Sequence, residues 1–331
     1  MSASITFCIP TLNRVKEIEV CLTSIISQAG DDVEIVVLDG GSTDGTAELV
    51  GSFSEKYTNI KLFTSSSKAG VDRDILEAVS HASGRFCWLF SDDDYLLSGA
   101  YAQVCNRLAA DPDAVGITTN YQAYDSQLKF KIRTVPALAS GRLDSDLVFS
   151  SIDDLFLSLA LHLGFISCQI VRTDVWNRVA EKGVESKHFN SWIIIHMIGR
   201  CIQQGGHWIY LSTPCVGYRS GNDSFLSRLG IIRRQEITHV HFANTISYFF
   251  GKDSGVFRAV LKSLLTNRMP RTLALLKSRG LSLRDHLLLF RLYSSTYHTF
   301  PQFWLLVLPV MLVPNFLFTL LRQLYFNSVR R

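Results

Sequence analysis

The chain lacks any cysteine pattern that would staple or metallate it. Its seven cysteines (Cys8, Cys21, Cys87, Cys105, Cys168, Cys201 and Cys215) are scattered, odd in number and never spaced as Cys-x-x-Cys. That excludes a disulfide framework and a thiolate zinc site, and it implies a reducing compartment in which thiols serve as small hydrophobes. Strong charge bias is also missing: 33 basic against 29 acidic residues leave a net charge of +4, too little for a nucleic-acid footprint. Met1-Ser2-Ala3-Ser4 runs straight into a strand-like segment with no basic and apolar leader pattern, so no secretory signal is expected. There is no internal repeat and no low-complexity linker. No glycine-rich basic loop follows the first strand, where Pro10-Thr11-Leu12-Asn13-Arg14 stands instead; this argues against a nucleotidyltransferase, which needs such a loop to hold a triphosphate.

What the chain has in abundance is apolar residues, 47% of 331. The length allows one large domain with an appendage, or two modest domains. The apolar excess points to surface that meets a membrane or a partner. Apolar runs at 5–9, 33–38, 60–63 and 86–90 alternate with helical spacings, the first of them Val15, Ile18, Leu22, Ile25 and Ile26 with Asn13 as a cap, the third at 75–82. Strands apolar throughout and separated by helices predict an α/β fold with a parallel sheet covered on both faces. Ligands of such sheets lie beyond the carboxyl ends of the strands. Asp39 and Asp92-Asp93-Asp94 each follow such an end, so one rim should carry both despite their separation in sequence. Later expectations are strands at 115–119 and 209–211 and helices at 155–163 and 192–202.

Three aspartates after a strand suit a divalent cation. A nucleoside diphosphate cannot sit beside carboxylates unless a cation intervenes, and Mg²⁺ or Mn²⁺ takes one or two carboxylates together with phosphate oxygens. Bound there, the ion acts as a Lewis acid on the leaving diphosphate. Asp44, within Thr43-Asp44-Gly45-Thr46, reads instead as a turn and helix cap, and His162 and His196 as packing histidines inside apolar patterns.

Four ordered motifs now carry a resemblance: Ile9-Pro10-Thr11-Leu12-Asn13-Arg14, Leu38-Asp39-Gly40-Gly41-Ser42-Thr43-Asp44-Gly45-Thr46, Gly70-Val71-Asp72-Arg73-Asp74 and Ser91-Asp92-Asp93-Asp94. Residues 5–97 resemble the family 2 glycosyltransferases, and 70–96 look closest to their abequosyltransferase-like branch, which adds deoxysugars to lipid-linked O-antigen units. The resemblance implies a GT-A nucleotide-diphospho-sugar transferase fold, a Rossmann-like mixed sheet. It further implies that Pro10, Thr11, Asn13 and Asp39 line the nucleotide pocket and that Arg73 approaches base or phosphate. Asp92 and Asp93 would serve ribose and sugar, and Asp94, with Asp92, the Mn²⁺ or Mg²⁺. Many members carry an acidic or amide residue where this chain has Gly40.

An inverting transferase needs a general base for the acceptor hydroxyl. The family's Glu-Asp pair ahead of a late helix is absent, and Glu185 and His188 are the proton acceptors in the corresponding segment. Arg219, in Tyr218-Arg219-Ser220-Gly221-Asn222-Asp223-Ser224, resembles the residue of the loop that closes over the diphosphate, where a guanidinium forks onto phosphate oxygens. The uncharged run 303–321, with Arg322, Arg330 and Arg331 behind it, meets the length of a bilayer span, interrupted by Pro309 and Pro314; packing onto helices at 255–292 is the rival account. The expected layout is a catalytic domain over 1–225, a helical extension over 226–301 and a membrane-associating tail over 302–331. The resulting expectation is a metal-dependent transferase at the cytoplasmic face of a bacterial inner membrane. Its partners would be a nucleotide-diphosphate sugar donor, a lipid-linked oligosaccharide or polysaccharide acceptor and the membrane surface, with no nucleic acid. Two rivals are a nucleotidyltransferase and a non-catalytic nucleotide-sugar-binding scaffold; turnover with release of nucleoside diphosphate separates the scaffold from the enzyme.

Overall fold

The computed structural model describes residues 5–29, 33–65, 70–132 and 144–320. The chain divides into two compact units at Asp223/Ser224. In the first, β1 (Ile5–Thr11), α1 (Ile18–Ala29), β2 (Glu34–Asp39), α2 (Thr46–Lys56), β3 (Ile60–Thr64), α3 (Val71–Ser80) and β4 (Phe86–Leu89) follow the predicted alternation. Then come β5 (Tyr95–Leu96), α4 (Ala100–Ala110), β6 (Ala114–Tyr124), β7 (Leu147–Phe149), α5 (Ile152–Leu159), β8 (Gln169–Arg172), α6 (Thr173–Glu181), α7 (Ile193–Ile202) and β9 (His207–Arg219). One sheet takes all the strands in the order β3-β2-β1-β4-β8-β6-β9-β5, with β7 also on β9.

The sheet is mixed rather than purely parallel. β1, β2, β3 and β4 pair in parallel, as do β6 and β9, but β8 runs antiparallel to both β4 and β6. The pattern Gln-Ile-Val-Arg marks a buried strand without encoding its direction, which is why the apolar runs alone pointed to a parallel sheet. Successive side chains of each strand alternate between faces: Ile5, Phe7 and Ile9 of β1 join Ile35, Val37, Phe86 and Trp88 against Cys21, Leu22 and Ile25 of α1 and Val104 and Leu108 of α4. Phe7 and Trp88 stack at 4.9 Å, and the Trp88 indole N–H donates to Ser167 O at 2.8 Å.

Several expected boundaries move, among them β6, which runs on to Tyr124 rather than 119, and α5, which spans Ile152–Leu159 rather than 155–163; two shifts have a clear cause. β9 continues through Pro214, where the short strand was expected to end. Proline removes a ladder donor and survives at bulges. Here it faces Asn120 where the register slips, and the Asn120 amide donates to Ser212 O at 2.8 Å beside the gap. The second boundary is the first helix. Asn13 does not cap it; the helix starts at Ile18, and Asn13 takes a left-handed φ of 56° so that its side chain reaches across to Thr43 N–H.

The second unit holds α8 (Ser224–Glu236, broken at Gly230), α9 (Phe242–Phe250), α10 (Gly255–Asn267), α11 (Met269–Ser278), α12 (Leu283–Tyr297) and α13 (Leu308–Leu312), with a π-turn at Phe303–Val307 before α13. Its core is built from Leu261, Leu264, Leu265, Leu273, Leu289, Tyr293 and Tyr297. Phe303, Val307 and Met311 are buried within it, whereas Leu305, Leu312 and Phe316 are 73%, 73% and 67% exposed. The buried Lys277 ammonium ties this segment down by donating to Met311 O at 2.6 Å and His286 Nε2 at 2.7 Å. Among the described residues no helix is long and apolar enough to cross a membrane; Leu321, Arg322, Arg330 and Arg331 lie outside them.

The β6–β8–β9 junction is tightly packed at Gly116, where an added Cβ would lie 2.4 Å from the Trp208 ring and 2.6 Å from Ile170 O. Gly116→Ala therefore overpacks the sheet and should lower stability by about 1–3 kcal/mol. Thermal melting checks this: a midpoint equal to the wild type's would show that the junction yields without strain.

Candidate functional site

The carboxyl ends of β1, β2, β4, β6 and β9 open on one rim, joined there by the amino end of β8. Thr11 and Asp39 close β1 and β2 as register partners and are both buried. Asp39 folds the next turn around itself: its carboxylate accepts Gly41 N–H at 3.2 Å, Ser42 N–H at 3.0 Å and the Ser42 hydroxyl. The Asn13 amide N–H donates to Ser42 Oγ at 2.8 Å, and Asn13 Oδ1 accepts Thr43 N–H at 2.8 Å. The loops after β1 and β2 are thereby stitched into one floor, with Pro10 in the β1 strand beneath. Asp44 accepts N–H groups from Thr46 at 3.0 Å and Val15 at 3.2 Å, the turn role expected for it.

The acidic cluster directly follows β4, and its three carboxylates do not converge. Asp94, 1% exposed, has both oxygens held: Ser167 Oγ donates to Oδ2 at 2.6 Å, and Arg219 N–H donates to Oδ1 at 3.0 Å. Asp93 accepts the Ser91 hydroxyl at 2.6 Å and the Asn222 amide at 2.9 Å. Asp92 faces Arg14, whose Nε stands 3.7 Å from Oδ1, while the same guanidinium donates to Asn222 Oδ1 at 3.1 Å. Burial, then the adjacent Asp93 charge, pushes the Asp92 carboxyl up to about 7, against the pull of Arg14 and Thr11. Burial and Asp93 raise Asp94 as well, and Ser167 and Arg219 N–H offset part of this. Burial, with the crowding of like charges second, thus disfavours the ionised form of both acids.

Arg219 ends β9, and its guanidinium is turned onto backbone: Nε donates to Asp93 O and an Nη to Ser126 O, both at 2.9 Å. Arg73 lies on the first turn of α3, exposed, with its guanidinium 4.9 Å over the Phe189 ring. Asp74, on the same turn, stands against Gly40: a Cβ there would lie 3.5 Å from Asp74 Oδ2. Its Oδ1 is buried without a hydrogen-bond partner, and burial, with Glu77 and Asp39 nearby, pushes the carboxyl up to about 6.

Glu185 and His188 part company. Glu185 is exposed and pairs with Lys187 at 2.8 Å. His188 is buried, its ring stacked 3.9 Å from that of His196. Burial, then Lys187, lowers its pKa, so the imidazole is neutral near pH 7. The segment is anchored to α3: Asp72 Oδ2 accepts Ser191 N–H at 2.6 Å, and Phe189 lies under Arg73. Sequence reasoning passed over Arg14, Asp72, Asp74, Ser167 and Asn222 as site residues. Arg14, Asp72 and Asp74 lay inside quoted motifs and Asn222 inside the quoted loop, so they were findable; Ser167 had no local signal.

The chain has relatives. A family model described as Glycosyl transferase family 2 matches residues 6–175. Abequosyltransferase RfbV of Salmonella typhimurium is 29% identical over 285 residues, 80% of this chain and 80% of that protein. The GalNAc(5)-diNAcBac-PP-undecaprenol beta-1,3-glucosyltransferase of Campylobacter jejuni is 34% identical over 100 residues, 30% of this chain and 32% of that protein. Among solved structures, S. aureus TarS 1–349 in complex with UDP-GlcNAc matches with a TM-score of 0.62 at 15% identity, covering 89% of this chain and 82% of that one. Mannosyltransferase PcManGT from Pyrobaculum calidifontis, in complex with GDP-Man and Mn²⁺, matches at 0.56 and 18% identity, covering 96% and 87%.

The Asp72 tie between α3 and the segment before α7 sets a pH dependence. Burial lifts the Asp72 carboxyl to about 6, opposed by the Ser191 and Ile193 N–H groups, so the folded chain binds this proton more tightly than the unfolded one. The stability it contributes is full below about pH 4 and is lost as pH rises through about 6. Asp72→Asn keeps an acceptor for Ser191 N–H and removes the titration, so its melting midpoint should fall less from pH 5 to pH 7 than the wild type's, the other raised carboxyls, Asp74, Asp92 and Asp94, supplying the remaining slope. Parallel slopes for the two proteins would rule out this role.

Proposed function

The chain belongs to glycosyl transferase family 2, and from that premise we propose that it transfers a hexosyl or deoxyhexosyl group from a nucleotide-diphosphate sugar to a lipid-linked or polysaccharide acceptor in cell-surface glycan assembly. Its first unit has the GT-A fold of the TarS and mannosyltransferase structures, and the chain is a glycosyltransferase of the abequosyltransferase-like branch. The observation that carries the finer reading is the Asp92–Asp94 cluster, held by contacts from Arg14, Ser167, Arg219 and Asn222.

In this reading Pro10, Thr11, Asn13 and Asp39 floor the nucleoside pocket and Arg73 borders it. Asp92 and Asp93 receive the ribose and donor sugar. A divalent cation, Mn²⁺ or Mg²⁺, would favour the ionised forms of Asp92 and Asp94 that burial disfavours. Among the described residues no three His, Cys, Asp or Glu side chains form a cation cage, so Asp94 and Asp92 would hold the ion together with diphosphate oxygens. Bound there, it supplies Lewis acidity to the leaving diphosphate. Arg219, already fixed on Asp93 O, adds positive charge beside the leaving group. In a single inverting displacement the acceptor hydroxyl bonds to the anomeric carbon as the carbon–oxygen bond to the diphosphate breaks, and a base takes the hydroxyl proton. Neutral, buried His188 is the stronger choice for that base over Glu185, which faces solvent beside Lys187.

A lipid-linked acceptor calls for a site near a bilayer. Leu305, Leu312 and Phe316, each largely exposed on the second unit, are apolar side chains suited to the interface of the cytoplasmic leaflet of a bacterial inner membrane.

Three outcomes test these assignments. Release of nucleoside diphosphate from a panel of nucleotide sugars should require Mn²⁺ or Mg²⁺ and vanish in Asp94→Ala; full turnover in excess chelator would refute the metal-dependent reading. His188→Ala should lower turnover by about a hundredfold or more, the usual contribution of general-base catalysis, with donor KM unchanged; near-normal rates in both His188→Ala and Glu185→Ala would place the base elsewhere. Leu305→Glu with Leu312→Glu should reduce sedimentation with anionic vesicles while the melting midpoint holds, and undiminished binding would locate the membrane contact on another surface.

A further inference from the structure

Beyond Asp94 along the rim, three aromatic side chains meet that none of the roles above uses. Tyr121 stands near the end of β6, Tyr218 near the end of β9, and Phe165 in the turn before β8. Their rings touch pairwise and edge to face: Tyr121–Phe165 at 4.9 Å and 70°, Tyr121–Tyr218 at 5.8 Å and 81°, Phe165–Tyr218 at 5.2 Å and 84°. All three are half-buried, unlike the core rings Trp88, Trp176, Trp208 and Tyr210, each of which is at most 1% exposed.

The trio is built into the hold on Asp94. Tyr218 directly precedes Arg219, whose N–H occupies Asp94 Oδ1, and Phe165 comes two residues before Ser167, whose hydroxyl occupies Oδ2. A support lies beneath it. His162 is buried and stacks on Tyr121 at 5.6 Å; it donates from Nε2 to Thr119 O at 2.7 Å, and burial lowers its pKa to about 4, so it stays neutral. The Gln169 amide donates to His162 O at 2.8 Å and Phe165 O at 3.1 Å, which fixes the turn carrying Phe165. A binding surface held by such a second layer is rigid in advance of its ligand.

Position identifies the ligand. The strand order β2-β1-β4-β8-β6-β9 sets Asp39 and Thr11 on one side of Asp92–Asp94 and the aromatic trio on the other. If the nucleoside lies at Asp39 and the diphosphate and donor sugar at Asp92–Asp94, the next group across the rim is the one that attacks the anomeric carbon from the side away from the diphosphate. Aromatic faces carry negative quadrupole charge and attract the polarised C–H groups of a pyranose ring, while the two phenol hydroxyls can bond its hydroxyls. We infer that Tyr121, Phe165 and Tyr218 form the platform that seats the terminal sugar ring of the acceptor. This rests on the donor placement proposed above.

The test uses the full chain with octyl pyranosides of glucose, galactose, mannose and rhamnose as acceptor probes. Saturation-transfer NMR reads their binding directly, and transfer kinetics with the donor that the wild type uses separate donor KM from acceptor KM. Phe165→Leu keeps the apolar volume and removes the aromatic face, so it is the informative variant should Phe165→Ala or Tyr218→Ala fold poorly. Expected are a tenfold or larger rise in acceptor KM for Phe165→Leu and Tyr218→Ala, donor KM within twofold of wild type, weakened pyranoside saturation transfer, and recovery of most acceptor binding in Tyr218→Phe. An unchanged acceptor KM, or donor and acceptor KM rising together, would overturn the platform. Pyranoside binding that depends on the trio in a protein turning over no nucleotide sugar would instead refute the transferase mechanism and leave the platform standing.

Discussion

Everything at the rim depends on the burial of acidic charge. Asp94 is almost wholly removed from water, and each of its oxygens is answered by a donor from a different part of the chain, the Ser167 hydroxyl and the Arg219 backbone N–H. A buried carboxylate without such partners would be strongly destabilising. The strand that delivers the aspartates, the turn that enters β8 and the end of β9 therefore have one mutual arrangement that satisfies this group. The same arrangement brings Asn222 to Asp93 and sets the Arg219 guanidinium on the Asp93 carbonyl.

Satisfaction stops short of neutrality. Arg14 stands 3.7 Å from Asp92, and the carboxyls of Asp74 and Asp92 sit above their ordinary range because burial and like charges outweigh the available compensation. Carboxyls perturbed in this way cluster at functional sites. The two acidic ends call for different relief. At Asp39 and Asp74 hydrogen-bond donors on a neutral nucleoside would serve. At Asp92 and Asp94, in the proposed reading, a cation would serve, because a diphosphate would bring further negative charge.

The legible part of the molecule was the part whose information is local. Mainly apolar runs located β1 to β4, and three successive aspartates after one of them located the acidic cluster. Strand direction escaped that reading because β8 looks alike whichever way it runs. Pro214 hid the length of β9, since a bulge that accommodates proline is a property of two strands and not of one. Ser167 is an ordinary serine in sequence and becomes a partner of Asp94 only through the pairing of β4 with β8. His188 and Glu185 lie three residues apart and were equivalent on paper; the fold turned one onto His196 and left the other to solvent. The run at 303–321 read as one uncharged, mostly apolar stretch, and only packing sorted Phe303, Val307 and Met311 from Leu305 and Leu312.

The two donors that hold Asp94 come 73 and 125 residues later in the chain. Closing such long loops is slow compared with local helix formation, and during synthesis the partners do not yet exist. A nascent chain that has just released the acidic cluster already displays Asp92, Asp93 and Asp94 but has neither of the donors that hold Asp94. Even a fragment ending at residue 175, where the family match stops, would own every acid of the cluster and lack Arg219 and Asn222. The final stretch of β9 is thus the step that converts a loose acidic strand end into a shaped pocket, so the rim takes its form only when the first unit's last strand has left the ribosome.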